Sequence, residues 1–215
     1  MDLCKRLEGQ CSQLPALSRP QVFCGEPEAL VERLEASAPG IRFDRIVAQN
    51  LFASARGGAQ RAAWARLCCG LLAADGVFVS LESIPREAQR IWKLVAAEGA
   101  IDPALAEAWG TAEETLYDDA DDPLLNWDAS DLVGELGEAG LSVRSAVKEE
   151  ATPMWIAEAR LEQWFSDEAS SYKSRLAASL DEDTLERLES ATRRAVRGRA
   201  VSWVQRGVLL TGRLT

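Results

Sequence analysis

The stretch from Phe43 to Leu81 constrains the fold more than any other part of the chain. Phe43-Asp44-Arg45-Ile46-Val47-Ala48 reads as a buried strand. Trp64, Leu67, Cys68, Leu71 and Leu72 then fall at i, i+3, i+4, i+7 and i+8, which is one face of a helix. Asp75-Gly76 reads as a turn into Val77-Phe78-Val79-Ser80-Leu81, a second strand rich in β-formers. Strand, helix and strand in that order make a βαβ unit, whose strands are parallel and whose crossover is right-handed. The expected architecture is α/β, with helices on both faces of the sheet.

The flanks extend this pattern. Leu3, Leu7, Cys11 and Leu14 stripe a first helix that ends before Pro15, Gln21 to Cys24 reads as a short strand, and a helix is expected from Glu28 to about Ala36. Downstream, Ala88, Ile91, Trp92 and Val95 stripe one helix, and Leu105, Ala108, Trp109, Ala112 and Leu116 stripe another. Asp128 with Asp131 three residues later marks a capped helix start, and Gly140 marks its stop. Leu141 to Lys148 alternates as a strand. Helical segments cover Ala157 to Phe165 and Leu185 to Val196, and Val201 to Leu214 closes the chain as a long strand that pairs antiparallel at one sheet edge. The expectation is a single domain over 1–215, with a helical insertion around 86–128 and a helical segment around 156–197.

Composition narrows the chemistry. Of 215 residues 47% are apolar, enough for a core, and the net charge of −10 argues against a chain that binds nucleic acid as a whole by neutralising phosphates. There is no histidine, which removes Ser-His-Asp and Cys-His catalysis and imidazole metal sites together. Cys4, Cys11, Cys24, Cys68 and Cys69 form no C-x-x-C pair, so the expectation is reduced thiols in a cytoplasmic protein. No run approaches the ~20 apolar residues of a membrane span, and Met1 to Arg6 has no apolar signal core. No G-x-x-x-x-G-K-[ST] string is present, so the chain has no P-loop ATPase site.

From Phe43 onward, the strand at Phe43 to Val47, the helix and strand at Leu71 to Val79, the helix and strand at Glu138 to Val143 and the last strand at Val201 to Leu214 resemble the second half of a class I S-adenosylmethionine-dependent methyltransferase. The resemblance implies a Rossmann-like sheet ordered 3-2-1-4-5-7-6 with its last strand antiparallel, of which this sequence lacks the first two strands and to which it adds several extra helices. More narrowly, Ser83 to Arg90, Tyr117 to Asp128 with its Asn126-Trp127-Asp128 ending, and Trp164-Phe165 followed by Ser171-Tyr172 resemble the methyltransferase-like extension fused behind a replication-associated recombination ATPase of the AAA clamp-loader type in some bacteria. By register, Gln21 to Cys24 resembles strand three. The glycine turn that approaches the cofactor after strand one, G-x-G-x-G or G-x-G-x-x-G, has no counterpart in the sequence. A sheet without strands one and two would leave strand four with an unpaired edge.

The same resemblance nominates residues. Glu26, after strand three, maps to the position that contacts the adenine amino group, or it simply favours the dipole of the helix it precedes. Gln49-Asn50-Leu51-Phe52 stands where amine-directed methyltransferases carry a D/N-P-P-F/Y turn, and without the prolines it also reads as a surface turn. Glu82 ends the strand after it, where α/β sheets place ligands. Three features remain from the residues themselves. The acidic run Glu113, Glu114, Asp118, Asp119, Asp121, Asp122, Asp128 and Asp131 is oxygen-rich enough for a hard cation but lacks the glycine and terminal Glu of an EF-hand, and reads as a solvated loop or a docking segment. Arg193, Arg194, Arg197, Arg199, Arg206 and Arg213 either contact nucleic acid or pair with internal acids, with Arg193, Arg194 and Arg197 as the contact candidates. The seven tryptophans fall mostly on apolar stripes, as core residues do.

Three functions compete at this point. The first is a methyltransferase-like domain incomplete or degenerate for S-adenosylmethionine, acting as an interaction or accessory module of a DNA replication and recombination ATPase. The second is an active methyltransferase completed by an upstream segment or partner chain. The third is a nucleic-acid-associated accessory domain using the C-terminal arginines. No metal or membrane partner is expected.

Overall fold

Four strands form one mixed sheet in the order β1-β2-β4-β3, in a computed structural model that describes residues 3–119, 122, 125 and 127–215. In chain order the elements are α1 (Leu3–Cys11), α2 (Pro27–Ser37), β1 (Phe43–Gln49), α3 (Gly58–Leu71), β2 (Leu72–Ser83), α4 (Ile91–Ala97), α5 (Pro103–Tyr117), α6 (Ala129–Glu138), β3 (Leu141–Trp155), α7 (Glu158–Trp164), α8 (Tyr172–Leu176), α9 (Glu182–Val196) and β4 (Ala200–Leu214). β1 and β2 are parallel, and β4 runs antiparallel to both β2 and β3. The chain is therefore α/β, and its strand order and directions are those of strands 4-5-7-6 in the expected Rossmann-like sheet. Asp121 and Asn126 of the acidic signature lie outside the described residues.

Three local expectations change. Gln21 to Cys24 is irregular chain rather than a strand, so β1 has a ladder on its β2 side alone among the described residues. Asp75-Gly76 is not a turn before β2 but an irregularity inside it: Phe43 pairs with Leu72 and Arg45 already pairs with Val77. A Cβ at Gly76 would lie 2.8 Å from Leu72 Cγ and 2.9 Å from the Ala73 carbonyl oxygen, so only glycine fits there. Finally, Cys24 is disulfide-bonded, so thiols are not reduced throughout, whereas Cys11, Cys68 and Cys69 are free.

Two hydrophobic cores hold the elements. One joins α3 and α6 to the sheet through Trp64, Ala65, Cys68, Phe78, Leu132, Leu136, Val208 and Leu210. Arg61 of α3, itself buried, donates from Nε and Nη2 to the Glu135 carboxylate of α6 at 3.0 and 2.9 Å and lies 4.9 Å from the Trp127 ring centre. A bidentate guanidinium–carboxylate pair fixes orientation as well as distance. The other core gathers α4, α5 and α7 to α9 around Trp109, Leu185 and Leu188 and packs on Val201 of β4. The expected helices thus cover only part of the sheet. On the face opposite α3 and α6, Val47 is 77% exposed and Leu81 42% exposed.

The acidic run is a solvated loop only in part: Asp118, Asp119 and Asp131 are exposed, whereas other members are built into the fold. Glu113 is fully buried and accepts from the backbone N–H groups of Ile91 and Trp92 at 2.8 and 2.9 Å, satisfying the first turn of α4. Glu114 pairs with Arg90 and Lys93, Asp122 pairs with Arg175, and Asp128 makes a capping box at α6. Tyr172 adds its hydroxyl to Glu113 and accepts from Trp109 Nε1 at 2.6 Å. Removing the acceptor strands two buried donors, each costing about 1–3 kcal/mol. Glu113→Ala is therefore expected to lose about 2–5 kcal/mol in urea unfolding, and a loss within experimental error would contradict this role.

Candidate functional site

The carboxyl ends of β1 and β2 meet in a turn that the sequence arranges from within. Asn50 adopts a left-handed conformation, φ 51°, which asparagine tolerates better than most residues. Its backbone N–H donates to the Leu81 carbonyl at 2.9 Å, and its side-chain Oδ1 accepts from the Ser83 N–H at 2.9 Å. Directly behind the turn, the fully buried Glu82 carboxylate accepts from the N–H groups of Leu51 and Ala53 at 3.1 and 3.0 Å and from the Ser80 hydroxyl. Burial pushes its pKa above the ordinary 4.5, opposed by the Ser80 hydroxyl and by the backbone donors. Glu82 thus sits at the strand end, where a ligand group was expected, but its oxygens are committed to the turn.

Beside this turn, at the free edge of β1, lies a mainly apolar pocket of about 420 Å³ between the Phe23–Glu26 loop, α2, β1 and α3. Phe23, Leu30, Ile46, Leu51 and Cys68 form its walls, and Glu26 stands at its border. Glu26 holds the N-cap position of α2 but makes no side-chain capping bond, so its carboxylate is not used by the helix in the way a cap is. Trp64 Nε1 donates to Glu28 at 2.7 Å, tying α2 to α3 beneath the pocket. The Cys68 thiol is pushed up to about 12, first by burial and then by Cys69 and Glu82 nearby, so it stays protonated and unreactive at neutral pH.

Of the three residues nominated for the cofactor, only Glu26 borders the pocket. Gln49 pairs in register with Leu81 and lies in the outward row with Val47, and Asn50 spends its amide oxygen on Ser83. The arginines of the C-terminal segment divide similarly. Arg193 is ion-paired with both Glu158 and Glu189, Arg199 with Glu98, and Arg206 with Glu87 and Glu149. Arg194 and Arg197 are exposed. Internal pairing thus takes three of the six, including one of the three contact candidates.

The unpaired edge expected of strand four is the outer edge of β1 among the described residues; what residue spacing did not reveal is which residues address it. In a parallel ladder one residue's N–H and C=O point to the same neighbour and the next residue's point away. The Asn50 N–H bonds to Leu81, so Ile46 and Ala48 also address β2, while Arg45, Val47 and Gln49 direct their backbone groups to the free edge. Alternation within Phe43 to Gln49 carries this information only once the partner side of one residue is known.

No protein-family profile and no curated protein matches the sequence. Among solved structures, the chain is similar to a candidate sarcosine dimethylglycine methyltransferase of Galdieria sulphuraria, with 13% identity and a TM-score of 0.44 over 98% of this chain and 65% of that one. It is similar to the cyclopropane synthase MmaA2 of Mycobacterium tuberculosis, with 13% identity and a TM-score of 0.42 over 98% and 66%. A candidate methyltransferase of Bacillus halodurans gives 14% identity and a TM-score of 0.36 over 80% and 64%. The chain spans just under two thirds of the length of each of these structures. At these values the likeness carries no functional argument.

Glu82 makes stability depend on pH in a defined direction. A carboxyl whose pKa is raised by folding contributes most below its unfolded value, and that contribution is lost as pH rises through the folded value. The stability advantage of the wild type over Glu82→Gln is expected to shrink as pH rises from about 4.5 toward 7, read by urea unfolding at a series of pH values. An advantage that grows with pH would mean that the carboxylate, not the acid, is the favoured form.

Proposed function

We propose that residues 1–215 are the second half of a methyltransferase-like sheet, incomplete for S-adenosylmethionine by themselves, and that they work as an interaction module. The observation that carries this reading is the free edge of β1 lying directly beside an apolar pocket bordered by Glu26. An edge and an apolar recess together are what a sheet offers when further strands belong against it.

The residues present fit the cofactor only in part. Glu26, which makes no side-chain capping bond and no ion pair among the described residues, supplies an acceptor suited to an amino group on a planar ring, and Leu51 and Ile46 supply apolar wall. The Gly-rich run that would bring backbone donors to a carboxylate or ribose is absent from the sequence, and the turn after β1 directs the N–H groups of Leu51 and Ala53 inward to Glu82. No catalytic step is assigned to the site on these residues. Were a segment or partner chain to supply the missing strands, a sulfonium methyl donor would need mainly positioning rather than acid–base help, so the lack of histidine is no obstacle. As the partner class we propose a replication-associated recombination ATPase. Support for it is the resemblance of Ser83 to Arg90 and Tyr117 to Asp128 to the extension such ATPases carry.

Isothermal titration of the 215-residue protein with S-adenosylmethionine tests the reading. A Kd weaker than about 1 mM is expected. Micromolar binding would overturn the claim that the half-site is incomplete.

A further inference from the structure

The pairing register places one set of side chains on the sheet face that α3 and α6 do not cover. Across β1, β2, β4 and β3 this face reads Val47, Val79, Thr211, Arg144 in one row and Gln49, Leu81, Leu209, Ala146 in the next. Val77, Val79 and Leu209 are half-buried, Ala146 is exposed, and none of the apolar residues in these rows belongs to either hydrophobic core. Apolar side chains from all four strands thus form one continuous outward patch, the kind of surface that marks an interaction site on a water-exposed sheet.

Around the patch the charge is mainly positive, with Glu150, two residues beyond Lys148 on the same face of β3, as the nearest outward acid on that strand. Arg45 of β1, Arg144 and Lys148 of β3 and Arg213 of β4 project on the same face, and none of the outward positions from 45 to 49, 77 to 83, 142 to 148 and 207 to 213 is acidic. Arg45, Arg144 and Lys148 form no ion pair among the described residues, and Arg213 donates only to the Asp75 carbonyl at 3.4 Å. This stands against a net charge of −10, in a chain that pairs Arg187, Arg193, Arg199 and Arg206 with acids elsewhere.

We propose that this face docks an amphipathic helix of a partner protein, with an apolar stripe seated on Val47, Val79, Leu81 and Leu209 and acidic flanks against Arg45, Arg144, Lys148 and Arg213. A helix is the element that buries an apolar stripe on a sheet face without asking for ladder hydrogen bonds. Apolar contact supplies the attraction, and the basic rim selects the sign of the flanks and steers approach. The inference deepens the interaction-module reading by naming the partner's chemistry. It shares that reading's premise that the sheet is covered from outside these residues, but it makes no use of the cofactor.

The test uses the intact chain and a fluorescein-labelled helical peptide of about 18 residues, five turns, with leucine on one stripe and glutamate on both flanks. At low salt we expect a Kd on the order of 10 µM, weakened about tenfold when lysine replaces the flanking glutamates and about tenfold by the exposed substitutions Arg45→Glu with Arg144→Glu. Circular dichroism of the double variant checks that it folds, and Leu209→Asp provides a second, charge-independent loss of binding. The proposal is overturned by equal binding of both peptides, by no binding of either, or by binding that survives the variants. It is also overturned if amide exchange shows protection confined to Arg45 and Val47, which would mean strand addition at the edge, or if sedimentation shows the free protein paired with a second copy through this face. Titration with S-adenosylmethionine reports separately, so failure of the cofactor reading and failure of this one are distinguishable.

Discussion

β4 bears hydrophobic cores on both of its faces, and the rest of the molecule is arranged around that strand. Val208 and Leu210 point to the side covered by α3 and α6, and Val201 and Trp203 point to the opposite side, where α4, α5 and α7 to α9 gather. A strand of ordinary length carries one core. This one is long enough, from Ala200 to Leu214, to pair with β2 over Gly207 to Gly212 and still extend beyond the sheet with β3 as a two-stranded ribbon. The ribbon sets the helical cluster at one end of the sheet and leaves the face over β1 and β2 without cover.

Two buried carboxylates then fix the places where the chain changes direction. Glu82 gathers the turn after β1, and Glu113 holds the start of α4. Each takes two backbone donors that would otherwise be orphaned, and burial raises the pKa of each. Carboxylates so placed are organisers of backbone rather than reagents. This explains how a perturbed acid at the carboxyl end of a strand, ordinarily a pointer to chemistry, belongs here to the scaffold.

Much of the fold was legible in the sequence because its signals are local. The apolar stripe from Trp64 to Leu72 and the alternation at Leu141 name helix and strand directly, and the strand order inferred through the methyltransferase resemblance agrees with the observed β1-β2-β4-β3 sheet. The features that residue patterns do not carry are non-local. Gln21 to Cys24 has strand-like residues but no ladder partner, Asp75-Gly76 has turn residues but sits inside β2, and Glu113 looks like one of a run of solvated acids until α4 is packed against it. Of the candidate site, Glu26 was found at the pocket, whereas Gln49 lies outside it although Ile46, Val47 and Ala48 of the same strand line it. Which face each β1 residue takes is decided by the register with β2. The basic rim of Arg45, Arg144, Lys148 and Arg213 was invisible for the same reason, since its members come from three different strands.

Among the described residues β1 is paired on one side only, with Arg45 and Val47 addressing an open edge. Residue-resolved amide exchange on the isolated 215-residue protein reads this directly. The N–H groups of Ile46, Ala48 and Asn50 should be protected by β2, while those of Arg45 and Val47 exchange close to the rate of unstructured chain. Equal protection along the whole of β1 would show that its outer edge is paired, and would contradict both the free edge and the incomplete sheet built on it.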